Sequence, residues 1–233
     1  MTIKAGMMAI AGCALSLNVL AGTMGPIEVE AYRPWSIIGS LGYTWYNNLY
    51  QGGVGSDPFA QNAIGDGQTA LGRFAIARDL GTLHFGAFKT VRWGAEIGVQ
   101  NGNTARLNIP QIQIDALGGL LPQVTIKPML DLLATAAWQP VERMPVFGII
   151  KPGIAYRRLQ VNDRVTFNDL SQVSFELQAG LGAHIADRAL LSLNYQGVFS
   201  GSTRYTLNTS TFTGNISNIP TQNGLLLSLA YTI

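Results

Sequence analysis

From Trp35 to the end of the chain, apolar and polar residues alternate with a period of two, the signature of a half-buried β-strand rather than a helix. Trp35, Ile37, Gly39, Leu41, Tyr43 and Trp45 share one face, with Ser36, Ser40, Gly42 and Thr44 opposite. The clearest run is 173–185. Val173, Phe175, Leu177, Ala179, Leu181, Ala183 and Ile185 fall on one side, and Ser174, Glu176, Gln178, Gly180, Gly182 and His184 on the other. A helix would bring Glu176 beside Ala179, whereas a strand keeps the two sets apart. The same test predicts eight strands, at 35–45, 69–78, 91–101, 124–138, 146–157, 173–185, 190–199 and 224–233. Their lengths suit tilted strands that cross a bilayer. Residues 79–82, Asp-Leu-Gly-Thr, read as a turn, and 84–88 could extend either neighbouring strand.

The connections keep a rhythm. Long polar links at 46–68, 102–123, 158–172 and 200–223 alternate with shorter ones at 79–90, 139–145 and 186–189. An up-and-down membrane barrel has long loops at one rim and tight turns at the other. Charge placement follows the same logic, because a Lys or Arg facing lipid near mid-bilayer costs about 2–4 kcal/mol. Arg73, Arg92, Glu96, Asp131, Lys151 and Glu176 all lie on the polar face of their strands. They are expected to form a structural charge network inside the barrel, since buried charges require partners. Trp35, Trp45, Trp138, Tyr156 and Tyr231 stand near strand ends, where interface aromatics belong.

Composition agrees. Charged residues are 12% of 233, about half the usual share, and 27 glycines help to fill the gap. Disorder, which needs high charge and low hydrophobicity, is excluded. The scattered charges sum to +2 and form no basic patch, so nucleic acid is not an expected partner. Lys4, the uncharged stretch 5–20 and Ala21-Gly22 read as a cleavable signal peptide over 1–21, which predicts export. A second reading takes Ile10-Ala11-Gly12-Cys13 as a lipoprotein box, although the apolar run before Cys13 is short for one. Residues 22–34 would follow as a periplasmic segment, and 35–233 as the barrel. Cys13 is the only cysteine, so cleavage after Ala21 removes every thiol.

Leu225, Leu227, Leu229, Tyr231 and Ile233 alternate up to the last residue, as a closing barrel strand requires. With Trp93-Gly94-Ala95-Glu96-Ile97-Gly98-Val99, Leu130-Asp131-Leu132-Leu133-Ala134-Thr135-Ala136 and Pro145-Val146-Phe147, the chain resembles the small Gram-negative outer-membrane β-barrels, the opacity-type surface proteins and OmpA-like barrels. The resemblance covers roughly residues 35 to 233. It implies an all-β, eight-stranded antiparallel transmembrane barrel in the outer membrane. It also implies outer-membrane lipid as surroundings, recognition of the last strand by the barrel assembly machinery, and envelope-structural, adhesive or small-molecule-conducting roles. A host surface or a small hydrophobic ligand would be the loops' partner. Barrels of this group usually finish in Phe, and Ile233 departs from that rule.

The sequence carries little chemistry. His84 and His184 have no cluster around them, so no metal site or other cofactor site is expected. His184 shares a strand face with Glu176 and lies across a turn from Ser192, the residue types of a lipid A-modifying hydrolase. That site would sit at the wrong end of the barrel for a headgroup, and a hydrogen-bonded interior histidine is the plainer reading. The expected function is non-enzymatic, structural or adhesin-like, with a narrow conduit for hydrophobic molecules or ions as the first alternative and the hydrolase as the second. The second long loop is apolar for a surface segment (Ile109, Ile112, Ile114, Leu117, Leu120 and Leu121), which can mark a binding site, although a hairpin or short helix over the mouth is the plainer reading. The last loop, rich in Ser, Thr and Asn, reads as flexible surface.

Overall fold

The computed structural model describes residues 35–47, 49–50, 68–84, 90–107, 123–139, 145–162, 166–167, 169–208, 210–211 and 213–233. The proposed signal peptide and the segment 22–34 lie outside them, as do residues 108–122 of the apolar second loop. Every regular element described is a strand. Eight build the wall: β1 Trp35–Tyr46, β2 Gln68–His84, β3 Thr90–Gln100, β4 Met129–Gln139, β5 Val146–Asn162, β6 Leu170–Ala186, β7 Ala189–Phe199 and β8 Gln222–Thr232. Each pairs antiparallel with its sequence neighbours, and β8 returns to pair with β1, from Ser36↔Thr232 to Tyr46↔Gln222. The eight-stranded wall is closed, so each wall strand is paired on both sides and its backbone groups there need neither water nor another chain.

The alternation decides which side faces in. Leu181, Ile97 and Leu229 are 65%, 60% and 50% exposed on the exterior, whereas Glu176 is 0% exposed inside. Eleven residues extend about 36 Å along a strand and, tilted near 45°, span about 25 Å of membrane normal. The shorter wall strands match that height. β2, β5 and β6, of 17 residues each, project beyond it.

The predicted strands 146–157 and 173–185 extend to Val146–Asn162 and Leu170–Ala186, so most of the predicted link 158–172 is strand, and three further regions differ from the sequence reading. The predicted turn at 79–82 is a bulge instead, because β2 stays paired with β3 through His84 and the register shifts between Asp79 and Gly81. Leu80 is the extra residue, which kinks the strand without ending it. Gly81 suits the site because a Cβ there would lie 2.8 Å from the Trp93 indole nitrogen. The predicted strand 124–138 is two pieces, Gln123–Ile126 and β4, with Lys127 and Pro128 between them. Proline cannot donate to a ladder, but the Lys127 amide still donates to the Arg158 carbonyl at 2.9 Å. Gln123–Ile126 pairs with Asn103–Leu107, which carries the β3 side of the wall outward as a hairpin. The last loop, read from sequence as a polar surface segment, contains regular structure among its described residues. It forms a small ladder between Tyr205–Asn208 and Thr213–Ile216, beside Thr166–Phe167.

Candidate functional site

The barrel interior is the candidate site, and closure of the sheet creates it. Inward positions on β2, β3, β4 and β5 place Arg73, Glu96, Asp131 and Lys151 on four successive strands. Arg73 grips Asp131 with two bonds, Nε donating to Oδ2 at 2.8 Å and Nη2 to Oδ1. Its Nη1 donates to Glu96 Oε1 at 2.5 Å, and Lys151 Nζ donates to the other Glu96 oxygen at 2.7 Å. All four residues are buried. Two cations meet two carboxylates, with a bidentate guanidinium at the centre, the strong form of this interaction.

The opposite wall is lined by amides. Glu176 on β6 accepts through Oε1 from Gln178 Nε2 at 2.8 Å and from Gln196 Nε2 at 2.7 Å. Gln196 on β7 also donates to Gln100 on β3 at 2.9 Å, tying the two halves together across the lumen. Towards the end bearing the wall's first and last residues, Ser40 and Ser228 share a 2.8 Å bond, and Asn194 donates to Ser192 at 3.0 Å. Towards the other end the lining turns apolar, with Val124, Ile126, Leu159 and Ile219 all buried. The last loop folds into this mouth. Gln172 donates to Asn218 and accepts from the Ile219 amide, at 3.0 and 2.9 Å, while Arg157 Nη1 donates to the Pro220 carbonyl at 2.9 Å. The lumen is thus crossed by side chains at several levels, as the width of an eight-stranded barrel dictates.

Five of the six charged residues singled out in the sequence are buried here. The structure joins Arg73, Glu96, Asp131 and Lys151, gives Glu176 to amides rather than to a cation, and places Arg92 elsewhere. Arg92 is half-buried on β3, four residues from Glu96. Trp35, Trp138, Tyr156 and Tyr231 are exposed on the outer wall, and Trp45 is half-buried against Tyr43 with ring centroids 6.4 Å apart. The Arg78 guanidinium lies over Trp35, 5.1 Å from the ring centroid. His184 packs against Phe147, centroids 5.2 Å apart. Glu176 lies eight residues away along β6 and is engaged by Gln178 and Gln196, so the described residues do not assemble a Ser-His-acid set. Among the described residues no group of three His, Cys, Asp or Glu could hold a metal ion.

No family model and no curated protein matches the chain. Solved structures do. Neisserial surface protein A aligns over 85% of this chain and 97% of its own, at 7% identity and a TM-score of 0.48. The N-terminal β-barrel domain of Pseudomonas aeruginosa OprF aligns over 85% and 98%, at 10% and 0.39. Outer membrane protein AlkL, solved in lipid bilayers, aligns over 91% and 96%, at 13% and 0.37. At these scores the likeness carries no argument about activity. The closed eight-stranded barrel rests on this chain's own strand pairing.

Proposed function

We propose that this chain is a non-enzymatic outer-membrane protein with a structural or surface-interaction role, its long connections displayed outside the cell. The observation that carries this reading is the inverted polarity of a closed sheet. Large apolar side chains cover the exterior, while Arg73, Glu96, Asp131 and Lys151 neutralise one another within. Water would leave that exterior unsatisfied, whereas lipid would satisfy it. The exposed aromatics, Trp35, Trp138 and Tyr231 at one end and Tyr43 and Tyr156 towards the other, serve on this reading as anchors at the two interfaces. With both chain ends on the periplasmic side, the projecting ends of β5 and β6 and the ladder of the last loop form the displayed surface. Residues 1–21 are removed on export, residues 22–34 remain as a periplasmic segment, and the last strand is the part offered to the assembly machinery. The side chains crossing the lumen weigh against a conduit.

Two measurements test the proposal together. The mature protein, extracted from outer-membrane fractions, should migrate faster in detergent gels before boiling than after, because a closed barrel resists unfolding. In planar bilayers it should give no steady conductance. A soluble mature chain with no heat-dependent mobility would overturn the membrane assignment, and steady unit conductance would replace the surface role with a transport role.

A further inference from the structure

Near the mouth of the lumen, one buried cation is only half-satisfied. Arg157 on β5 is 0% exposed, and its Cζ lies 6.0 Å from the centroid of the Tyr46 ring, which reaches it from the far wall. Its Nη1 donates to the Pro220 carbonyl at 2.9 Å and to Ser200 Oγ at 3.3 Å. Nε and Nη2, the other edge of the guanidinium, have no hydrogen-bond partner among the described residues. Buried donors without partners are rare because they forfeit their hydration, and the loss is greater for a charged group. Asn103 is also buried, and its side-chain amide has no hydrogen-bond partner among the described residues.

The carboxylate nearest in the lining does not fill this edge. Arg157 stands opposite Gln172 in the strand register, and Glu176 stands opposite Gly153. One inward position, Ser174, therefore lies between their levels along β6. At the level of Arg157, Gln172 is spent on Asn218 and Ile219, and Ser174 below it bonds to Ser200 at 2.9 Å. Gln178 and Gln196 hold Glu176 through Oε1, and its Oε2, which has no hydrogen-bond partner among the described residues, makes no bond to Arg157. The other cations of the lining, Arg73 and Lys151, have carboxylates in contact, but Arg157 has none among the described residues.

We propose that the Nε–Nη2 edge of Arg157 is a binding site for a small carboxylate inside the barrel. The two N–H groups on that edge are parallel and spaced to meet two carboxylate oxygens at once, and the anion supplies the charge that a water molecule would not. The site goes beyond the surface role argued above and does not depend on it. Its occupant holds Arg157 in place, and Arg157 holds the Pro220 carbonyl, so the bound anion also secures the last loop in the mouth.

The test uses the full barrel folded in detergent micelles, with arginine labelled by nitrogen-15 and formate as the probe. One arginine Nε–H resonance should shift and saturate as formate is added, and the same resonance should be absent from Arg157→Gln. Arg158→Gln, which alters the exposed neighbour, should leave the shift intact. If Arg157→Gln does not fold, crystals of the unaltered protein soaked in bromide decide the matter independently, through an anomalous peak within hydrogen-bond distance of both Nε and Nη2. Ordered water alone at that edge, or another side chain of the protein on it, overturns the proposal. A shift that rises without saturating does so too. A bromide peak without saturable formate binding marks an ion held at crystal concentration only and equally overturns it.

Discussion

At Gly98 the interior depends on an absent side chain. A Cβ there would lie 2.7 Å from Arg73 Cζ and 2.8 Å from Asp131 Oδ1, wedged into the ion pair. Gly98→Ala should therefore push the guanidinium off Asp131. Breaking a buried pair while one charge remains costs about 3–5 kcal/mol, so a loss of about 3 kcal/mol is expected in urea unfolding from lipid vesicles. A change under about 1 kcal/mol would show that the pair accommodates a methyl group. Arg73→Met should cost as much or more, and adding Asp131→Leu should recover part of it, since a double mutant exposes the coupling between partners. Alternation placed Arg73, Glu96, Asp131, Lys151 and Glu176 on polar faces. It could not say that Arg73 reaches Asp131, 58 residues away, because that contact exists only once β2, β3 and β4 lie side by side. Apart from phase, nothing in the sequence singles out the interior amides Gln100, Gln196 and Asn194, because a neutral amide is as common on a surface as in a core. Their inward phase, shared with Gln178 and Glu176, was the one available sign.

The strand is the scale at which the sequence spoke most plainly, and its errors there have local causes. Asp79, Leu80 and Gly81 have turn composition, but pairing with β3 absorbs them as a bulge. The strand breaks at Lys127 and Pro128 because proline has no N–H to offer the ladder, although the Lys127 amide still reaches the Arg158 carbonyl. The outward face of each strand should tolerate charge according to depth. Ile97→Arg, near the middle of β3, is expected to cost about 2–4 kcal/mol in a bilayer. Leu83→Arg, close to the end of β2, should cost about 0–1 kcal/mol. Both values can be read from unfolding midpoints in the same vesicles. Equal costs at the two sites would mean that the exterior does not face a hydrocarbon slab.

For the molecule as a whole, closure is the decisive event. β8 pairs with β1 on one edge and β7 on the other, so it is the last piece of the wall. Removing residues 230–233 strips β1 of its partners at Ser36, Ile37 and Ile38. The truncated chain should lose the fast-migrating, unboiled form in detergent gels. Its survival would mean that closure does not need the end of β8. The mature protein from the envelope should begin at Gly22 or within a residue of it, as N-terminal sequencing would read, and a start at Met1 would remove the export reading.

Alternation of side chains is a property of one strand and its backbone, so it can be read without knowing any neighbour. The chain order therefore disclosed eight strands, their two faces, the long-short rhythm of their connections and the charges that had to share a face. Which charges meet across the lumen, how the last loop enters the mouth and why one edge of Arg157 has no partner among the described residues all depend on register and closure. Those bring together residues from opposite walls, and contacts between residues far apart in sequence leave no periodic mark.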